Sequence, residues 1–250
     1  MTEPIVVVWF SCGAASAVAW KKTVEMLRGH MRVVAVNNPV AEEDPDNLRF
    51  ARDVSDWVGE PLITWTNPKF PNGSAVEVWN KRRAMAFPTG APCTIELKKN
   101  ARRDFENTHN VALHVLGFTA DEKKRHDRFT LTERSNVLPV LIHAGMTKQD
   151  CADYLTASGL ELPRVYREGY PNANCIGCPK ATSPTYWNLV RKTRPEVFRQ
   201  RATLSREVGA RLVRVNGERI FLDELDPNAV GRPLKTMTID CGIFCEEPEQ

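Results

Sequence analysis

The sequence predicts an α/β fold with an open, mostly parallel sheet flanked by helices, followed by a smaller helical region that carries cysteines. Short apolar runs rich in β-branched residues alternate with stretches of helical spacing, and this pattern changes after residue 145. The 250 residues, 42% hydrophobic and 26% charged, have an ordinary globular composition. We therefore expect two regions, an α/β core at 1–145 and a helical region at 146–250.

The first predicted strand is the continuous apolar run at 5–10, which is typical of a strand buried on both faces. Small residues and a helical stretch up to Gly29 follow it. Residues 32–36 and 45–58 repeat the pattern as a second strand and helix, and 62–65 predicts a third strand. This alternation favours right-handed crossovers between parallel strands.

The next elements continue the alternation. Helices are predicted at 74–86 and 97–105, and a fourth strand is predicted at 111–117. The apolar run at 137–142 is interpreted as one more strand. Together these segments extend the α/β core to its expected end.

The pattern beyond residue 145 is helical and irregular. A T-x-x-D capping box at 147–150 predicts a helix up to Gly159. Residues 163–184 are rich in Pro, Gly, Asn and Tyr, and two short helices are predicted at 184–192 and 195–208. This part of the chain also holds a pair of closely spaced cysteines.

Charge and hydropathy exclude several classes of protein. A net charge of +3 is far from the strongly basic character of a dedicated nucleic-acid binder. The longest uncharged run, 4–20, contains polar residues and falls short of the roughly 20 apolar residues of a membrane span. Because the residues before it lack a basic stretch, we expect a cytoplasmic protein with no membrane partner. The sequence favours no particular oligomeric state.

Residues 11–16, S-C-G-A-A-S, connect the first predicted strand to the first predicted helix. At the carboxyl edge of a parallel sheet, such a turn offers backbone N–H groups and a favourable helix dipole to an anion. The alternative is a tight turn whose small residues serve packing alone. The candidate phosphate ligands are Ser11, Cys12, Gly13 and Ser16.

This segment resembles the S-G-G-x-x-S pyrophosphate loop of the adenine-nucleotide α-hydrolase superfamily, which includes ATP pyrophosphatases, thiolation enzymes and sulfonucleotide reductases. Cys12 stands in place of the first glycine. Ala14 and Ala15 stand where ATP-cleaving members often have Lys-Asp. The resemblance implies an adenine nucleotide as the substrate.

The cysteines indicate metal or redox chemistry rather than a disulfide framework, because there are seven of them in a chain with no predicted export signal. Cys175 and Cys178 form a C-x-x-C motif whose glycine permits a tight turn around one metal. Cys93, at the start of a predicted basic helix, is the best third ligand because the helix dipole and nearby lysines favour a thiolate. Zinc and iron–sulfur clusters both accept this spacing, and a thioredoxin-type redox pair is the alternative. Cys151 is interpreted as a buried, unliganded thiol.

The motif C-T-x-x-L-K at 93–98, followed by G-Y-x-N-x-N-C-x-x-C at 169–178, resembles the phosphoadenylyl sulfate (PAPS) reductase family and its relatives in DNA phosphorothioation. The resemblance implies an iron–sulfur cluster, a [4Fe–4S] cluster in our interpretation, on the three cysteines of these motifs. Cys245 or Cys241 would be the fourth ligand, or one iron would be left open to receive sulfide.

Two further segments extend this resemblance. Residues 37–46 lie where the family has its second nucleotide-contacting segment, and 116–125 resemble its later Gly…Glu…Arg segment. For the basic residues, a solvated helix face is the alternative. The additional nucleotide or phosphate contacts that the resemblance implies are Asn37, Lys98, Gly117 and Arg125.

The C-terminal sequence D-C-G-I-F at 240–244 is similar to the E-C-G-I/L-H motif of sulfonucleotide reductases, with Phe244 in place of histidine. By that resemblance Cys241 would be the nucleophile that attacks the sulfur of an adenylyl sulfate. A thioredoxin-like or glutaredoxin-like partner would then supply electrons.

Three functions follow from these motifs. The leading hypothesis is a sulfonucleotide-reductase-like oxidoreductase that acts on an adenylyl sulfate. The second is an ATP-dependent, cluster-assisted sulfur transfer to tRNA or DNA, which would make a nucleic acid the partner. The third is a zinc-stabilised nucleotide sensor without catalysis. The choice between iron–sulfur and zinc, and the need for a 3′-phosphate on the substrate, stay open here.

Overall fold

The computed structural model describes residues 3–87 and 90–234. Within this range the chain forms two compact units. Unit 1 comprises the chain up to Pro39, Pro45–Trp65 and Arg102–Arg164. Unit 2 comprises Val40–Asp44, Thr66–Ala101 and the described chain from Val165 onward. The predicted nucleophile Cys241 and the predicted fourth ligand Cys245 lie outside the described residues.

The predicted fold class is confirmed by the sheet of unit 1, which has four parallel strands in the order β3-β2-β1-β4. They are β1 (Ile5–Phe10), β2 (Arg32–Asn37), β3 (Leu62–Thr64) and β4 (Val111–Val115). From β1 the chain first adds strands on one side and later returns to add β4 on the other. The carboxyl ends of β1 and β4 therefore form a topological switch point, where ligands of open α/β sheets bind.

The helices of the described chain vary from single turns to four turns, and none of those described has the length and apolar character needed to cross a bilayer. A π-helix at Ile95–Asn100 lies between the fourth and fifth. In order they are α1 (Ala14–Leu27), α2 (Asp46–Val58), α3 (Ala75–Arg82), α4 (Pro92–Thr94), α5 (Ala101–Thr108), α6 (Lys123–Thr132), α7 (Val140–His143), α8 (Lys148–Ala157), α9 (Arg164–Arg167), α10 (Pro184–Thr193) and α11 (Pro195–Glu207).

Both faces of the sheet in unit 1 are covered, which explains the uninterrupted apolar run of β1. Alternate residues of a strand point to opposite faces, and Val6 and Val8 belong to a core shared with α1, α2 and α8. On the other face, Trp9 packs edge-on against Phe105 of α5, with ring centroids 5.7 Å apart. Every residue of β1 is buried.

Unit 2 has its own core, built around aromatic side chains of α3, α10 and α11. Trp79, Trp187 and Tyr186 are almost fully buried in it, and the Tyr186 and Trp187 rings meet edge to face at 5.4 Å. A short antiparallel hairpin, β5 (Val213–Val215) and β6 (Glu218–Ile220), completes the unit. The two predicted helices α10 and α11 each have a proline in the first turn, which is where helices tolerate proline best.

The strand predicted at 137–142 is wrong. Val137 makes one isolated parallel bridge to His114, and the chain then forms α7 at Val140–His143. Pro139 precedes this helix and has no N–H to donate to a sheet ladder, so pairing does not continue. The apolar run is buried by a short helix instead.

The division into units also differs from the boundary expected near residue 145. Helix α8 belongs to unit 1, because Cys151 and Leu155 are fully buried in the core that contains α1. The chain at 66–101 belongs to unit 2 instead of the α/β core. The capping box that starts α8 is present, with the Asp150 N–H donating to Thr147 Oγ1 at 3.2 Å.

Candidate functional site

The turn after β1 lies at the switch point and leads directly into α1. The Ser16 hydroxyl donates to the Gly13 carbonyl at 2.8 Å and accepts the Ser11 N–H at 3.2 Å. Gly13 occupies the N-cap position, and among the described residues no side chain caps the helix. Ala14 and Ala15 carry only methyl groups in the first turn. The start of α1 thus presents backbone N–H groups behind small side chains, which suits an anion.

Cys12 is the strained position of this turn. Its φ of +57° lies in the left-handed region that favours glycine, which gives a physical reason for a glycine at the corresponding position of similar loops. Asn37, at the end of β2, donates its side-chain N–H to the Phe10 carbonyl at 2.8 Å and to Cys12 Sγ at 3.8 Å. Asn37 therefore anchors the turn, and its predicted contact with a nucleotide stays a prediction.

Gly117, two residues beyond β4, is where the chain passes closest to the turn. A Cβ atom at this position would lie 2.9 Å from Ser16 N and 3.1 Å from the carbonyl carbon of Ala15. Only glycine permits this approach without moving the turn. The structure thus brings six predicted nucleotide residues together at the switch point: Ser11, Cys12, Gly13, Ser16, Asn37 and Gly117.

Arg125 on α6 belongs to a charged cluster in unit 1. Its guanidinium lies 2.9 Å from Glu122 Oε1 and 5.1 Å from the centre of the Phe118 ring. The same carboxylate pairs with Lys148 at 3.2 Å and accepts the Thr119 hydroxyl at 3.0 Å. One carboxylate therefore faces two cations, and the role of Arg125 toward phosphate stays a prediction.

The cysteine site belongs to unit 2. Cys93 of α4 lines one pocket together with Cys175 and Cys178, which lie in the loop before α10. Lys98 lines the same pocket, and its Nζ lies 3.2 Å from Glu43 Oε1 in a pair whose side chains are only 7% and 11% exposed. Lys98, predicted as a phosphate contact, is thus found beside the three cysteines. No disulfide joins the cysteines of the described chain.

The π-helix at Ile95–Asn100 follows Cys93 almost directly. π-Helical turns are rare in proteins overall, and those that occur are often found at functional sites. Burial raises the pKa of Glu96, but the hydrogen bonds from Arg82 and Asn100 outweigh burial and leave this pKa below its ordinary value. The π-helix that follows Cys93 therefore carries an ionised carboxylate paired with arginine, where the sequence predicted an ordinary helix.

The C-x-x-C loop is held by two side chains that the sequence did not predict. Gly177 has a φ of +72°, which produces the tight turn between the cysteines. The Tyr186 hydroxyl accepts the N–H groups of Gly177 at 3.0 Å and Cys178 at 3.1 Å, and it donates to the Cys175 carbonyl at 3.4 Å. Arg201 Nε donates to the Gly177 carbonyl at 3.3 Å.

Both of these side chains are buried. Burial, followed by the nearby Cys178, raises the pKa of Tyr186 well above its ordinary value, so the hydroxyl stays protonated. Arg201 is 1% exposed and its guanidinium lies 4.8 Å from the centre of the Trp79 ring. Burial lowers its pKa, whereas the charges of Glu42 and Cys175 act in the opposite direction. One signal could have found it: Arg201 occupies the same helix face as Phe198 and therefore a core position.

The donor chemistry of the pocket fits zinc or an iron–sulfur cluster, since thiolates are the ligands both prefer. The cavity volume that is open to a water-sized molecule is about 10 Å³, which corresponds to about one water. Among the described residues, no three His, Cys, Asp or Glu side chains already stand in an arrangement that would hold a metal ion. The pocket supplies the ligand types, and the thiols would have to rearrange around a metal.

Cys151 contrasts with the pocket cysteines. It is completely buried in the core of unit 1. Burial, with a smaller contribution from Asp150, raises the pKa of its thiol to about 12. The group therefore stays a neutral thiol at pH 7.

Comparison with known proteins finds a likeness among solved structures. No protein-family model and no curated protein matches this chain. Among solved structures, it is similar to a phosphoadenylyl-sulfate (PAPS) reductase from Candida auris, determined as a phosphate complex. The two share 11% sequence identity and a TM-score of 0.48 over 69% of this chain and 81% of that chain. A likeness at this level assigns neither a family nor an activity.

Proposed function

We propose that this chain is an adenine-nucleotide-binding enzyme of sulfur metabolism that reduces an adenylyl sulfate, with an iron–sulfur cluster on Cys93, Cys175 and Cys178. The observation that carries the proposal is the pocket in unit 2 that all three cysteines line. They come from two motifs that lie far apart in the sequence and that both resemble motifs of PAPS reductases. A pocket lined by all three thiols supports a shared ligand, around which the thiols would rearrange.

The nucleotide phosphates, in this proposal, bind at the switch point of unit 1. The uncapped start of α1 offers backbone N–H groups, and Ser11 adds a hydroxyl. Gly117 lets the chain after β4 pass close to the backbone of this turn. Arg125 of unit 1 is proposed as a further contact to phosphate or sulfate.

The proposed reaction has two steps. The Cys241 thiolate attacks the sulfur of the adenylyl sulfate, so that an S–S bond forms, the bond from sulfur to the phosphate oxygen breaks, and AMP or its 3′-phosphate leaves. A thiolate of a thioredoxin-like or glutaredoxin-like partner then displaces sulfite or Cys241 from this adduct, and the partner ends as a disulfide. Two electrons pass from the dithiol to sulfur, and the Cys241 thiol is restored.

The cluster would be held by the three pocket cysteines, with Cys245 as the proposed fourth ligand. When bound, an iron–sulfur cluster supplies a redox-active centre whose properties depend on hydrogen bonds and charges around its sulfur atoms. Lys98 lines the pocket with the three thiols, and Arg201 is close enough to Cys175 and Cys178 for their charges to act on its pKa.

The test is sulfite release by anaerobically purified protein. We expect brown protein that releases sulfite from adenylyl sulfate or its 3′-phospho form when thioredoxin or glutaredoxin is present. Cys241→Ser should abolish the release, whereas the matched control Cys151→Ser should keep it. Undiminished sulfite release by Cys241→Ser would overturn the proposed nucleophile. A colourless protein with stoichiometric zinc and no turnover would instead favour the nucleotide sensor.

A second candidate is ATP-dependent sulfur transfer to tRNA or DNA. The arrangement at the start of α1 favours it, since Ser11, Gly13 and Ser16 are retained from pyrophosphate-binding loops and lie in a turn that suits a polyphosphate. Release of pyrophosphate from ATP that depends on added tRNA or DNA would decide for this function. Release of sulfite without any nucleic acid would decide against it.

A further inference from the structure

The Tyr186 hydroxyl is the polar group on which the C-x-x-C loop converges. It is held inside unit 2, with Tyr186 only 2% exposed. Two loop amides donate to it, those of Gly177 at 3.0 Å and Cys178 at 3.1 Å. Its own proton points to the Cys175 carbonyl at 3.4 Å. A single side chain thus contacts the backbone of both cysteines.

These contacts decide which hydrogen bonds the sulfur atoms receive. Hydrogen bonds from nearby groups to metal-bound sulfur hold the ligands in place and tune the metal. A backbone N–H has one proton to donate. Because the Gly177 and Cys178 amides donate to Tyr186, they are not directed at a sulfur atom. The ring of Tyr186 is itself fixed by packing edge-on against Tyr170 and Trp187.

We propose that Tyr186 is a positioning residue of the cysteine pocket, which holds the Gly177 and Cys178 amides and thereby restrains the thiols of Cys175 and Cys178. Arg201 assists from the other side by binding the Gly177 carbonyl. The inference rests on the proposed use of these thiols as ligands, but on neither the identity of the metal nor the reaction.

The test compares Tyr186→Phe with Tyr170→Phe. Tyr170 is the matched control because it lies in the same core and its hydroxyl contacts Thr193 at 2.6 Å instead of the loop. Alkylation of reduced, metal-free protein is followed at each cysteine by mass spectrometry, with Cys93 as the internal reference. In Tyr186→Phe the two amides lose their acceptor, and we expect Cys175 and Cys178 to react about tenfold faster relative to Cys93. Tyr170→Phe should leave this ratio unchanged.

An unchanged reaction rate of Cys175 and Cys178 relative to Cys93 in Tyr186→Phe would overturn the proposal. An equal acceleration at all described cysteines would also overturn it, because that pattern indicates general unfolding. If Tyr186→Phe does not fold, hydrogen exchange of the wild-type chain decides. The Gly177 and Cys178 amides should then exchange as slowly as the amide of buried Trp187, and fast exchange would contradict the proposal. A failure of the proposed function is detected by a different measurement: the wild-type protein would then bind neither iron nor zinc.

Discussion

The candidate sites of the two units differ in the groups that form them, backbone N–H groups in unit 1 and thiol side chains in unit 2. In unit 1 the site is a turn of small residues whose backbone N–H groups face the switch point, so it depends on where the strands end. In unit 2 the site is a pocket of thiols held by buried side chains, chiefly Tyr186 and Arg201. A site of the first kind follows from topology, whereas a site of the second kind depends on long-range packing.

The thiols show the same difference. Cys151 in unit 1 is surrounded by an apolar core, which keeps it neutral. The three pocket cysteines of unit 2 line their pocket together with Lys98, and the charges of Cys175 and Cys178 act on the pKa of the buried Arg201. Burial alone therefore does not identify a ligand, because all five described cysteines are buried. The pocket cysteines differ from Cys151 in lining one pocket together with Lys98, whereas Cys151 lies in an apolar core.

Acid sensitivity should separate the units most strongly, since the buried His114 lies in unit 1. Burial and the charges of Arg134 and Arg102 lower the pKa of His114 from 6.5 to about 3. Between these two pH values His114 is protonated in the unfolded chain and neutral in the folded chain, so the free energy of unfolding falls as the pH falls. We expect unit 1 to lose about 3 kcal/mol of unfolding free energy between pH 6.5 and pH 4.

The measurement is chemical denaturation at several pH values for wild type and His114→Asn. Asparagine keeps an acceptor for the Trp9 N–H, which donates to His114 Nδ1 at 3.0 Å, and cannot take up a proton in this range. The variant should show a clearly smaller loss of stability over the same interval. Parallel pH profiles for the two proteins would contradict this explanation.

The packing of the C-x-x-C turn can be tested with a pair of glycines in unit 2. A Cβ atom at Gly177 would lie 3.0 Å from Val197 Cγ1 and 3.2 Å from Arg201 Cγ, whereas nothing lies within 4 Å of one at Gly169. Both glycines have positive φ, so Gly169→Ala controls for backbone strain. We expect Gly177→Ala to be about 2 kcal/mol more destabilising than Gly169→Ala. Equal losses of stability for the two variants in thermal or chemical unfolding would show that the turn at Gly177 accommodates a methyl group.

The smallest expected effect concerns the turn of unit 1. Cys12→Ala keeps the strain of the left-handed conformation and loses the thiol, whereas Cys12→Gly loses the thiol and relieves the strain. We expect the glycine variant to be about 1 kcal/mol more stable than the alanine variant in chemical denaturation. An alanine variant as stable as the glycine variant would mean that Cys12 is not strained.

Much of unit 1 could be predicted from the sequence because its signals are local. The buried strand at Ile5–Phe10 has six consecutive apolar residues, and the start of α8 has both partners of its capping box. The prediction at 137–142 failed because an apolar run fits a buried helix as well as a strand, and Pro139 decided between them. The π-helix at Ile95–Asn100 has no local sequence signature and was not predicted.

The site of unit 2 could be predicted only in part. The ligand types came from the C-T-x-x-L-K and C-x-x-C motifs, and the structure places all three cysteines around one pocket. These motifs could not identify Tyr186 and Arg201 as partners of the C-x-x-C loop, because both residues lie on helices outside the motifs and contact the loop only in the folded chain. The ion pair of Lys98 with Glu43 is also long-range, and the sequence predicted a different contact for this lysine.

We propose that Cys93, Cys175 and Cys178 share a metal while Cys151 does not. The most direct test is the iron, acid-labile sulfide and zinc content of anaerobically purified wild type, Cys93→Ser and Cys151→Ser. We expect wild type and Cys151→Ser to carry the same stoichiometric metal, and Cys93→Ser to lose most of it. Wild-type protein without metal, or Cys93→Ser with an undiminished metal content, would contradict the claim.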